Sequence, residues 1–487
     1  MIYGVVMEYV YDRLFIGGEW VSPSSGQVIT AISAATEERI GRVPEGAPAD
    51  IDAAVAAARH AFDRSEGWST WPAMERAAVL RRFADEIDKR RREFVRRVSM
   101  QNGMPISVGR RTEGAAPATL LRYYADMIAT MPDEERRPSL VSGTTVVRRE
   151  PLGVVAAIVA WNFPQTLTFF KLAPALAAGC TVVLKPSPET VLDAFLLAEA
   201  AQAAELPPGV LNIVPGGGAV GAHLVAHPGI DKVAFTGSTA VGHAIALQCA
   251  DLLRPVTLEL GGKSAGIVLD DFDTRSAGPD LFTATLLNQG QTCYLSTRIL
   301  APRSRYAEVV DAFTALARTL PIGDPLDSAT MIGPLATARQ RDAVERYIAQ
   351  GKAEGGRVTT GGGRPAELSQ GWFVEPTIFA DVDNSATIAR EEIFGPVLSI
   401  IPYRDVDEAI RIANDSQYGL AGTVWTSDNE RGLEVARRIR TGSFGVNCFT
   451  FDFGAPFGGV KRSGLGRELG PEGLSAYQQP KSIYLPA

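Results

Sequence analysis

The sequence contains few cysteines and few histidines. Among 487 residues there are four of each, and no two cysteines form a C-x-x-C motif. The cysteines are Cys180, Cys249, Cys293 and Cys448. Such wide spacing favours neither a disulfide framework nor a zinc site. His223 and His227 are four residues apart, but "HLVAH" lacks the glutamate of the H-E-x-x-H motif. We therefore predict no metal site.

Long hydrophobic runs and a strong excess of one charge are also missing. The longest apolar stretches, 152–163 and 172–184, are shorter than the roughly 20 residues that span a bilayer. The start, "MIYGVVMEYVYDR", has no basic segment before its apolar residues, which does not favour a signal peptide. Net charge is −7, and the "KRRR" run at 89–92 stands among acidic residues, as on a solvated helix face. We expect a soluble, cytoplasmic protein that binds neither membrane nor nucleic acid.

The apolar residues that are present predict an α/β protein of more than one domain. Apolar residues at helical spacing predict two amphipathic helices, over 51–62 and 76–98, the first with Asp50 as its N-cap. From 153 to 260, short apolar runs alternate with helical stretches, a pattern typical of a parallel sheet covered on both faces. A second alternation follows over 265–447 and includes a helix near 278–289. We predict two doubly wound α/β domains.

One segment does not fit either alternation. Residues 139–151 contain two polar-apolar runs around Ser142-Gly143, which predicts a β-hairpin standing apart from the main sheet. Such protruding elements commonly serve assembly.

Two glycine clusters are candidates for binding a phosphate. "GGGAVG" at 216–221 matches G-x-G-x-x-G, but a strand-to-helix turn needs glycine with or without a ligand. "FTGSTAVG" at 235–242 offers Gly237, Ser238 and the free N–H groups of a first helical turn. A simple helix N-cap remains the alternative. Lys185 directly follows the strand "TVVL", where ligands of open α/β sheets bind, and this favours a nucleotide.

Seven segments together resemble the NAD(P)-dependent aldehyde dehydrogenases in order and spacing, from about residue 12 to the C-terminus. They are "AWNFP" (160–164), "KPSPET" (185–190), "FTGSTAVG" (235–242), "LELGGKS" (258–264), "NQGQTC" (288–293), "EEIFGPV" (391–397) and "PFGGVKRSGLGRELG" (456–470). The resemblance implies an aldehyde dehydrogenase-like fold with a cofactor-binding domain (1–127 and 150–260) and a catalytic domain (261–465). It further implies an oligomerisation element (128–149 and 466–487) in a homodimer or homotetramer.

The chemistry of aldehyde oxidation gives three of these residues a role. A cysteine thiolate, Cys293, can attack an aldehyde carbon, and a neutral amide can stabilise the resulting oxyanion. The resemblance assigns that amide to Asn162, together with the backbone N–H of Cys293. Glu259, an acid within an apolar run, is expected to be the base that activates water to release the thioester. The structural alternatives are an Asx turn at Asn162 and a buried Glu259 paired with a lysine.

The remaining roles come mainly from the resemblance. Lys171 and Glu468 would form a proton path near Glu259, with a structural ion pair as the alternative for Lys171. The cofactor-binding residues would be Ile158, Trp161, Lys185, Gly237, Ser238, Leu260, Glu392 and Phe394. Many NAD-preferring relatives have a glutamate where this chain has Pro188, with Glu189 next. We expect NAD as the cofactor, and this departure leaves NADP open.

The residues matching the family's substrate tunnel are mostly aromatic. They are Phe163, Leu167, Phe170, Tyr294, Thr450, Phe451 and Phe457. These side chains predict an apolar substrate, an aromatic or aliphatic aldehyde. A coenzyme-A-acylating enzyme is disfavoured because its relatives usually lack a base matching Glu259. A non-catalytic protein on the same scaffold would be expected to have lost Cys293, Asn162 or Glu259. None of the four histidines lies in a motif that recommends it as partner of a cysteine hydrolase.

Overall fold

The structure is a computed structural model and describes residues 8–274 and 278–486. The first half of the apolar start, residues 1–7, and the outermost limits of the predicted domains at 1 and 487 lie outside the described residues. Within the described ranges, none of the helices combines the length and the apolar character needed to cross a bilayer.

Strands and helices alternate along most of the chain. The strands are β1 (Tyr9–Val10), β2 (Leu14–Ile16), β3 (Glu19–Val21), β4 (Val28–Ile32), β5 (Arg39–Pro44), β6 (Glu134–Pro138), β7 (Thr144–Pro151), β8 (Val154–Ile158), β9 (Thr181–Lys185), β10 (Leu211–Ile213), β11 (Lys232–Thr236), β12 (Val256–Glu259), β13 (Ser264–Val268), β14 (Ser296–Pro302), β15 (Arg357–Thr360), β16 (Thr377–Ala380), β17 (Val397–Tyr403), β18 (Gly422–Trp425), β19 (Gly445–Val446), β20 (Gly464–Leu465) and β21 (Gln478–Leu485).

The helices pack on the faces of the sheets. They are α1 (Pro48–Asp63), α2 (Ala73–Asn102), α3 (Ile106–Gly109), α4 (Ala116–Thr130), α5 (Pro164–Ala178), α6 (Leu192–Ala203), α7 (Gly218–Ala226), α8 (Thr239–Asp251), α9 (Gly278–Thr285), α10 (Tyr306–Thr319), α11 (Ala338–Ala353), α12 (Thr387–Arg390), α13 (Val406–Asn414), α14 (Asn429–Arg437) and α15 (Gly470–Ser475).

The first sheet has eight strands in the order β20-β12-β11-β8-β9-β10-β2-β3. Its five central strands, β12 to β10, are parallel, whereas β20, β2 and β3 pair antiparallel at the edges. Every residue of β8, β9 and β11 is buried. Strands covered on both faces need apolar side chains throughout, and this explains their continuous apolar runs. The predicted doubly wound unit is confirmed.

The second sheet has seven strands in the order β15-β16-β17-β14-β13-β18-β19, and only β15 runs antiparallel to its neighbour. A helix separates most of these parallel strands along the chain, as the second alternation predicts. Helix α11 was not predicted from the sequence, although Thr337 caps it by accepting from the Gln340 N–H at 3.1 Å. Its buried Val344 and Ile348 have the expected i, i+4 spacing.

The hairpin prediction is confirmed, with its first strand displaced. Strand β6 ends at Pro138, so residues 139–143 form the connecting loop rather than part of a strand. The C-terminal strand β21 pairs antiparallel with β7 along its whole length and completes a separate three-stranded sheet. The N-terminal sheet β1-β5-β4 was not predicted.

Two local predictions are wrong. The N-cap of α1 is Ala47, because Pro48 occupies the first helical position; Asp50 instead accepts a bond from the Ala47 N–H at 2.8 Å. The helix predicted near 278–289 ends at Thr285. Asn288 and the two residues after it are left-handed, a conformation that a right-handed helix cannot include.

Candidate active site

The carboxyl edge of the first sheet positions three of the predicted site residues. Ile158 at the end of β8 pairs with Lys185 at the end of β9, and Glu259 at the end of β12 pairs with Thr236 of β11. The strand order reverses between β8 and β11, because β9 and β10 continue on one side and β12 on the other. Open α/β sheets bind ligands in the crevice at such a reversal.

Loops at the amino edge of the second sheet supply the other half of the site. Gly262, Cys293 and Glu392 precede the neighbouring parallel strands β13, β14 and β17. A Cβ on Gly262 would lie 2.4 Å from the Cys293 carbonyl oxygen, and the Gly262 N–H donates to Glu392 Oε1 at 3.0 Å. The three loops are therefore held in mutual contact.

A cleft of about 330 Å³ lies between these two edges. Nine of the predicted site residues line it: Trp161, Asn162, Gly237, Ser238, Glu259, Leu260, Cys293, Glu392 and Phe394. Helix α11 adds Arg339, Gln340 and Tyr347, which the sequence analysis missed along with the helix. The structure thus brings together residues that are up to 233 positions apart in sequence, from Trp161 to Phe394.

The Cys293 thiol is half-buried at this cleft. Burial raises the pKa of the thiol, and the carboxylates of Glu392 and Glu259 raise it further. The resting thiol is therefore protonated at neutral pH, and it must lose this proton to become a nucleophile.

The loop before Cys293 has a constrained backbone. Asn288, Gln289 and Gly290 have φ angles of 53°, 45° and 78°. A left-handed conformation costs a non-glycine residue roughly 1–2 kcal/mol. Side-chain bonds hold the turn: Gln289 Nε2 donates to the Pro334 carbonyl at 3.0 Å, and the Ala336 N–H donates to Gln291 Oε1 at 2.9 Å. The position of Cys293 thus depends on a strained turn fixed from outside.

The Asn162 amide lies beside the cysteine loop. Its Nδ2 donates one hydrogen to the Gln291 carbonyl at 3.0 Å, two residues before Cys293. An amide nitrogen carries two hydrogens, so a second donor remains. Asn162 is 4% exposed, lines the cleft and lies two residues before the start of α5 at Pro164. Its side chain bonds across to another loop rather than to its own backbone, which disfavours the Asx-turn alternative.

Glu259 is a buried carboxylate without a direct hydrogen-bond partner. Among the described residues, neither of its oxygens is bonded. Burial raises its pKa well above the ordinary value, the Glu468 carboxylate raises it further, and the Lys171 ammonium offsets part of the shift. Lys171 bonds to Glu468 Oε1 at 2.7 Å and to Thr236 Oγ1 at 2.6 Å rather than to Glu259. The alternative of a Glu259–lysine pair is therefore wrong, whereas Lys171 does form a buried ion pair.

Glu392 packs against the backbone of Gly261 and Gly262. A Cβ on Gly261 would lie 2.1 Å from Glu392 Oε2, so only glycine leaves room for this carboxylate. Burial raises the pKa of Glu392 to about 7, although the bond from the Gly262 N–H favours the ionised form. Phe394, two residues on, has a left-handed φ of 57° and contacts the Trp161 ring edge-on at 5.3 Å.

The start of α8 lies at the cleft. Ser238 is its N-cap and accepts from the Val241 N–H at 3.4 Å, and the Gly237 N–H donates to the Glu259 carbonyl at 3.1 Å. The N-cap alternative for Ser238 is thus what the structure contains. Its position at the cleft also places a helix N-terminus, which attracts phosphate, beside the crevice.

The other glycine cluster, at 216–221, contacts Lys185 instead. The buried Lys185 ammonium donates to the carbonyls of Gly216 at 2.7 Å and Pro186 at 3.0 Å. Burial lowers its pKa to about 8. Near it, Glu189 accepts a bond from the Ser187 hydroxyl and lies 3.6 Å from Arg339. Lys185, Ile158 and Lys171 do not line the cleft itself.

An aromatic cluster begins at Tyr294, the residue after Cys293. Tyr294 stacks on Phe449 at 4.5 Å and meets Phe451 edge-on at 4.9 Å. Phe451 also contacts Phe457 at 4.7 Å and Phe170 at 5.8 Å. Phe163 and Leu167 are buried in the large hydrophobic core that also contains Phe170, Tyr294 and Phe457. Thr450 is exposed.

Two further members of this cluster, Phe449 and Phe453, were not predicted from the sequence. Phe453 contacts Phe170 at 6.3 Å. Both residues alternate with Phe451 in the segment "FTFDF", and this alternation was the available signal for a shared face.

Comparison with known proteins bears on the family of the whole chain. Residues 20–483 match the model of the aldehyde dehydrogenase family. A geranial dehydrogenase of Castellaniella defragrans is 56% identical, over 98% of this chain and 99% of the relative. The structure of a Mycobacterium tuberculosis aldehyde dehydrogenase complexed with NAD+ is 49% identical, has a TM-score of 0.96 and matches 98% of this chain and 99% of its own. A Pseudomonas syringae aldehyde dehydrogenase C mutant, complexed with NAD+ and octanal, is 41% identical with a TM-score of 0.94, covering 98% of both chains.

Proposed function

Since the chain belongs to the aldehyde dehydrogenase family, we propose that it oxidises an apolar aldehyde to the carboxylic acid with NAD+, through a thiohemiacetal and then a thioester on Cys293. The observation that carries this proposal is that one thiol, one free amide donor, one buried carboxylate and one half-buried carboxylate line a single cleft. These groups are Cys293, Asn162, Glu259 and Glu392.

Cys293 and Asn162 serve the first half of the reaction. The deprotonated sulfur of Cys293 attacks the aldehyde carbon, and the carbonyl oxygen becomes an oxyanion. The second Nδ2 hydrogen of Asn162 and the Cys293 backbone N–H stabilise this oxyanion. Because the amide is neutral and its other hydrogen is fixed on Gln291, it stabilises the charge without forming an ion pair that would trap it.

Glu259 serves the second half. A carboxylate with a raised pKa is a suitable base near neutral pH, and the unbonded oxygens of Glu259 leave it free to take a proton from water. The activated water attacks the thioester, the carbon–sulfur bond breaks, and the acid leaves. Lys171 and Glu468 form a buried ion pair, and this proton is passed on from Glu259 through that pair.

The groups around the cleft suit parts of a dinucleotide. Its chemistry matches the parts of NAD+: a helix N-terminus at Ser238 for pyrophosphate, the Glu392 carboxylate for ribose hydroxyls, and Trp161 and Phe394 for an aromatic ring. Lys185, at the carboxyl end of β9, would hold the adenosine ribose. NAD+, when bound, supplies the acceptor for the hydride that leaves the thiohemiacetal.

The aromatic cluster supports an apolar substrate. Phe451 contacts both Tyr294, the residue after Cys293, and Phe457, and the three rings offer apolar surface to a substrate. A relative named for geranial and a neighbour bound to octanal agree, since both are apolar aldehydes.

We also keep the proposed division into a cofactor-binding domain, a catalytic domain and an oligomerisation element. The separate sheet β6-β7-β21 supports the last of these. Leu140 and Val141 at its hairpin tip and Tyr484 on β21 are strongly exposed large apolar residues, as expected of a surface that a second copy covers. Removal of residues 478–486 should yield a monomer in light scattering.

The reaction is tested by following NADH formation with octanal, geranial and acetaldehyde, with NAD+ and NADP+ in parallel. Wild type should use the two larger aldehydes and NAD+ preferentially, and Cys293→Ala should be inactive. Cys180→Ala, at a buried cysteine outside the cleft, is the control and should retain activity. Turnover by Cys293→Ala at the wild-type rate would refute the mechanism.

A further inference from the structure

A buried asparagine that no motif singles out holds the peptide at Asn162. Asn102 is the last residue of α2 and is completely buried. Its Nδ2 donates to two successive main-chain carbonyls, Trp161 O at 2.9 Å and Asn162 O at 3.2 Å, while its Oδ1 accepts from the Met104 N–H at 3.0 Å. Every polar atom of the Asn102 side chain is therefore used, and both donors act on the segment that carries the oxyanion donor.

A second asparagine reaches the same carbonyl from the cysteine loop. Asn288 Nδ2 donates to Asn162 O at 3.1 Å. The Asn162 side chain in turn donates to Gln291 O at 3.0 Å. Asn162 is thus clamped between α2 on one side and the strained turn before Cys293 on the other. Both lone pairs of its carbonyl are occupied, so its peptide plane is fixed with respect to the thiol.

We propose that Asn102 is a positioning residue for the oxyanion hole: through Trp161 O and Asn162 O it sets the direction of the second Asn162 amide hydrogen. This inference rests on the proposed function. An oxyanion donor acts only when it is aimed at the place where charge develops, within about 0.5 Å and 10–20°. Without Asn102, the Trp161 carbonyl of the 161–162 peptide would lose this bond, and the Asn162 carbonyl of the 162–163 peptide would keep only the bond from Asn288.

The alternative is that Asn102 is merely a satisfied core asparagine. Asn212 provides a matched comparison, because it is also completely buried and makes the same three kinds of bond. Its Nδ2 donates to Gly209 O at 2.9 Å and Val182 O at 3.3 Å, and its Oδ1 accepts from the Gly17 N–H at 2.8 Å. Asn212 lies on β10, outside the cleft. Equivalent substitutions of Asn102 and Asn212 remove the same kinds of bond. Only the bonds of Asn102 hold residues that line the active-site cleft.

The experiment compares Asn102→Leu with Asn212→Leu, and Asn102→Asp with Asn212→Asp. Leucine keeps the branched shape and removes all three bonds, whereas aspartate keeps the acceptor and removes the donors. Three quantities are measured: the first-turnover rate of NADH formation with octanal, the KM for NAD+, and the rate at which iodoacetamide alkylates Cys293, read by peptide mass spectrometry. Alkylation displaces iodide and develops no oxyanion, so it reports the thiol alone.

We expect the first-turnover rate of Asn102→Leu to fall by about 10- to 100-fold, with alkylation and the KM for NAD+ within about twofold of wild type. Asn102→Leu and Asn212→Leu should lower Tm by similar amounts, because each loses three buried hydrogen bonds. Asn212→Leu should leave the first-turnover rate, the KM for NAD+ and the alkylation rate unchanged. If Asn102→Leu does not fold, Asn102→Ser replaces it, because a hydroxyl can donate to only one of the two carbonyls.

Two outcomes would overturn the proposal. One is a first-turnover rate that falls equally at Asn102 and Asn212; the other is a loss of alkylation parallel to the loss of oxidation, which would mean that the thiol has moved. Asn162→Ala separates this failure from failure of the proposed function. If Asn162→Ala is slow while Asn102→Leu is not, only the positioning role is wrong; if Asn162→Ala oxidises octanal normally, the assigned oxyanion hole is wrong as well.

Discussion

The Lys171 ammonium lies 2.7 Å from the Glu468 carboxylate, with the two side chains 0% and 2% exposed. Glu468 raises the pKa of Glu259, and Lys171 lowers it in part. The pair therefore keeps a positive charge near Glu259 without bonding to it. Such an arrangement leaves Glu259 free as a base while neutralising the second buried carboxylate.

Breaking this pair should destabilise the protein strongly. Lys171→Met leaves the Glu468 charge buried without a partner, which costs about 3–5 kcal/mol in the free energy of unfolding. The double variant Lys171→Met/Glu468→Leu should recover most of the loss, as measured by chemical denaturation. Arg364→Met, which breaks an exposed pair with Glu345, should cost less than about 1 kcal/mol. An equal loss in the single and double variants would contradict this account.

Replacing the base should separate the two halves of the reaction. Glu259→Gln keeps the shape of the side chain but cannot take a proton from water. We expect one equivalent of NADH per subunit to form in a first turnover, followed by a steady state about 100-fold slower than wild type. Rapid-mixing absorbance measures both phases. Steady-state release of acid at the normal rate would show that another group is the base.

The reactivity of the thiol should depend on Glu392 in a pH-dependent manner. The Glu392 pKa is raised to about 7, so its charge is present above pH 7 and mostly lost at pH 6. Because this charge raises the pKa of Cys293, Glu392→Gln should alkylate faster than wild type at pH 8 and at a similar rate at pH 6. The rate of iodoacetamide labelling at Cys293 checks this. Glu391→Gln, at an exposed neighbour bonded to Tyr347, should show no such change, and a ratio independent of pH would argue against charge as the cause.

A methyl group at Gly261 should weaken cofactor binding. In Gly261→Ala the new Cβ would lie 2.1 Å from Glu392 Oε2, so the carboxylate must move away from the ribose position. We expect the KM for NAD+ to rise about 10-fold, the loss of roughly one charged hydrogen bond. Gly26→Ala, where a Cβ would meet no atom within 4 Å, is the control. Unchanged KM values in both variants would remove Glu392 from the list of cofactor contacts.

The aromatic cluster should control the preference for large aldehydes. Phe451→Ala removes a ring that contacts Tyr294, Phe457 and Phe170. We expect kcat/KM for octanal to fall about 10-fold or more, the usual effect of lost apolar contact, while kcat/KM for acetaldehyde changes little. The ratio of the two substrates is the measurement. A parallel loss for both would indicate a general disturbance of the site rather than a role in specificity.

The motifs and the apolar pattern of the sequence predict much of the fold. The alternating apolar runs located β8, β9, β11 and the helices between them, because strands buried on both faces require continuous apolar sequence. The N-terminal sheet and α11 escaped notice: short strands and a mostly polar helix give weak periodic signals. Asp50 shows why the N-cap of a helix is hard to predict from residue type alone. Pro48, two residues earlier, is the first residue of the helix.

The amino-acid sequence by itself determined the chemical groups: one cysteine in "NQGQTC", an amide in "AWNFP" and an acid inside the apolar "TLELGG", each placed at the end of an element by local pattern. Only the tertiary structure decided how they relate. Which buried lysine pairs with which carboxylate depends on chain segments nearly 300 residues apart, Lys171 and Glu468. The hydrogen bond from Asn102 to the Asn162 carbonyl likewise forms because the end of the 30-residue helix α2 lies against the loop before α5. Hydrogen bonds act over about 3 Å of space, and no spacing along the chain specifies which distant groups will lie within that distance.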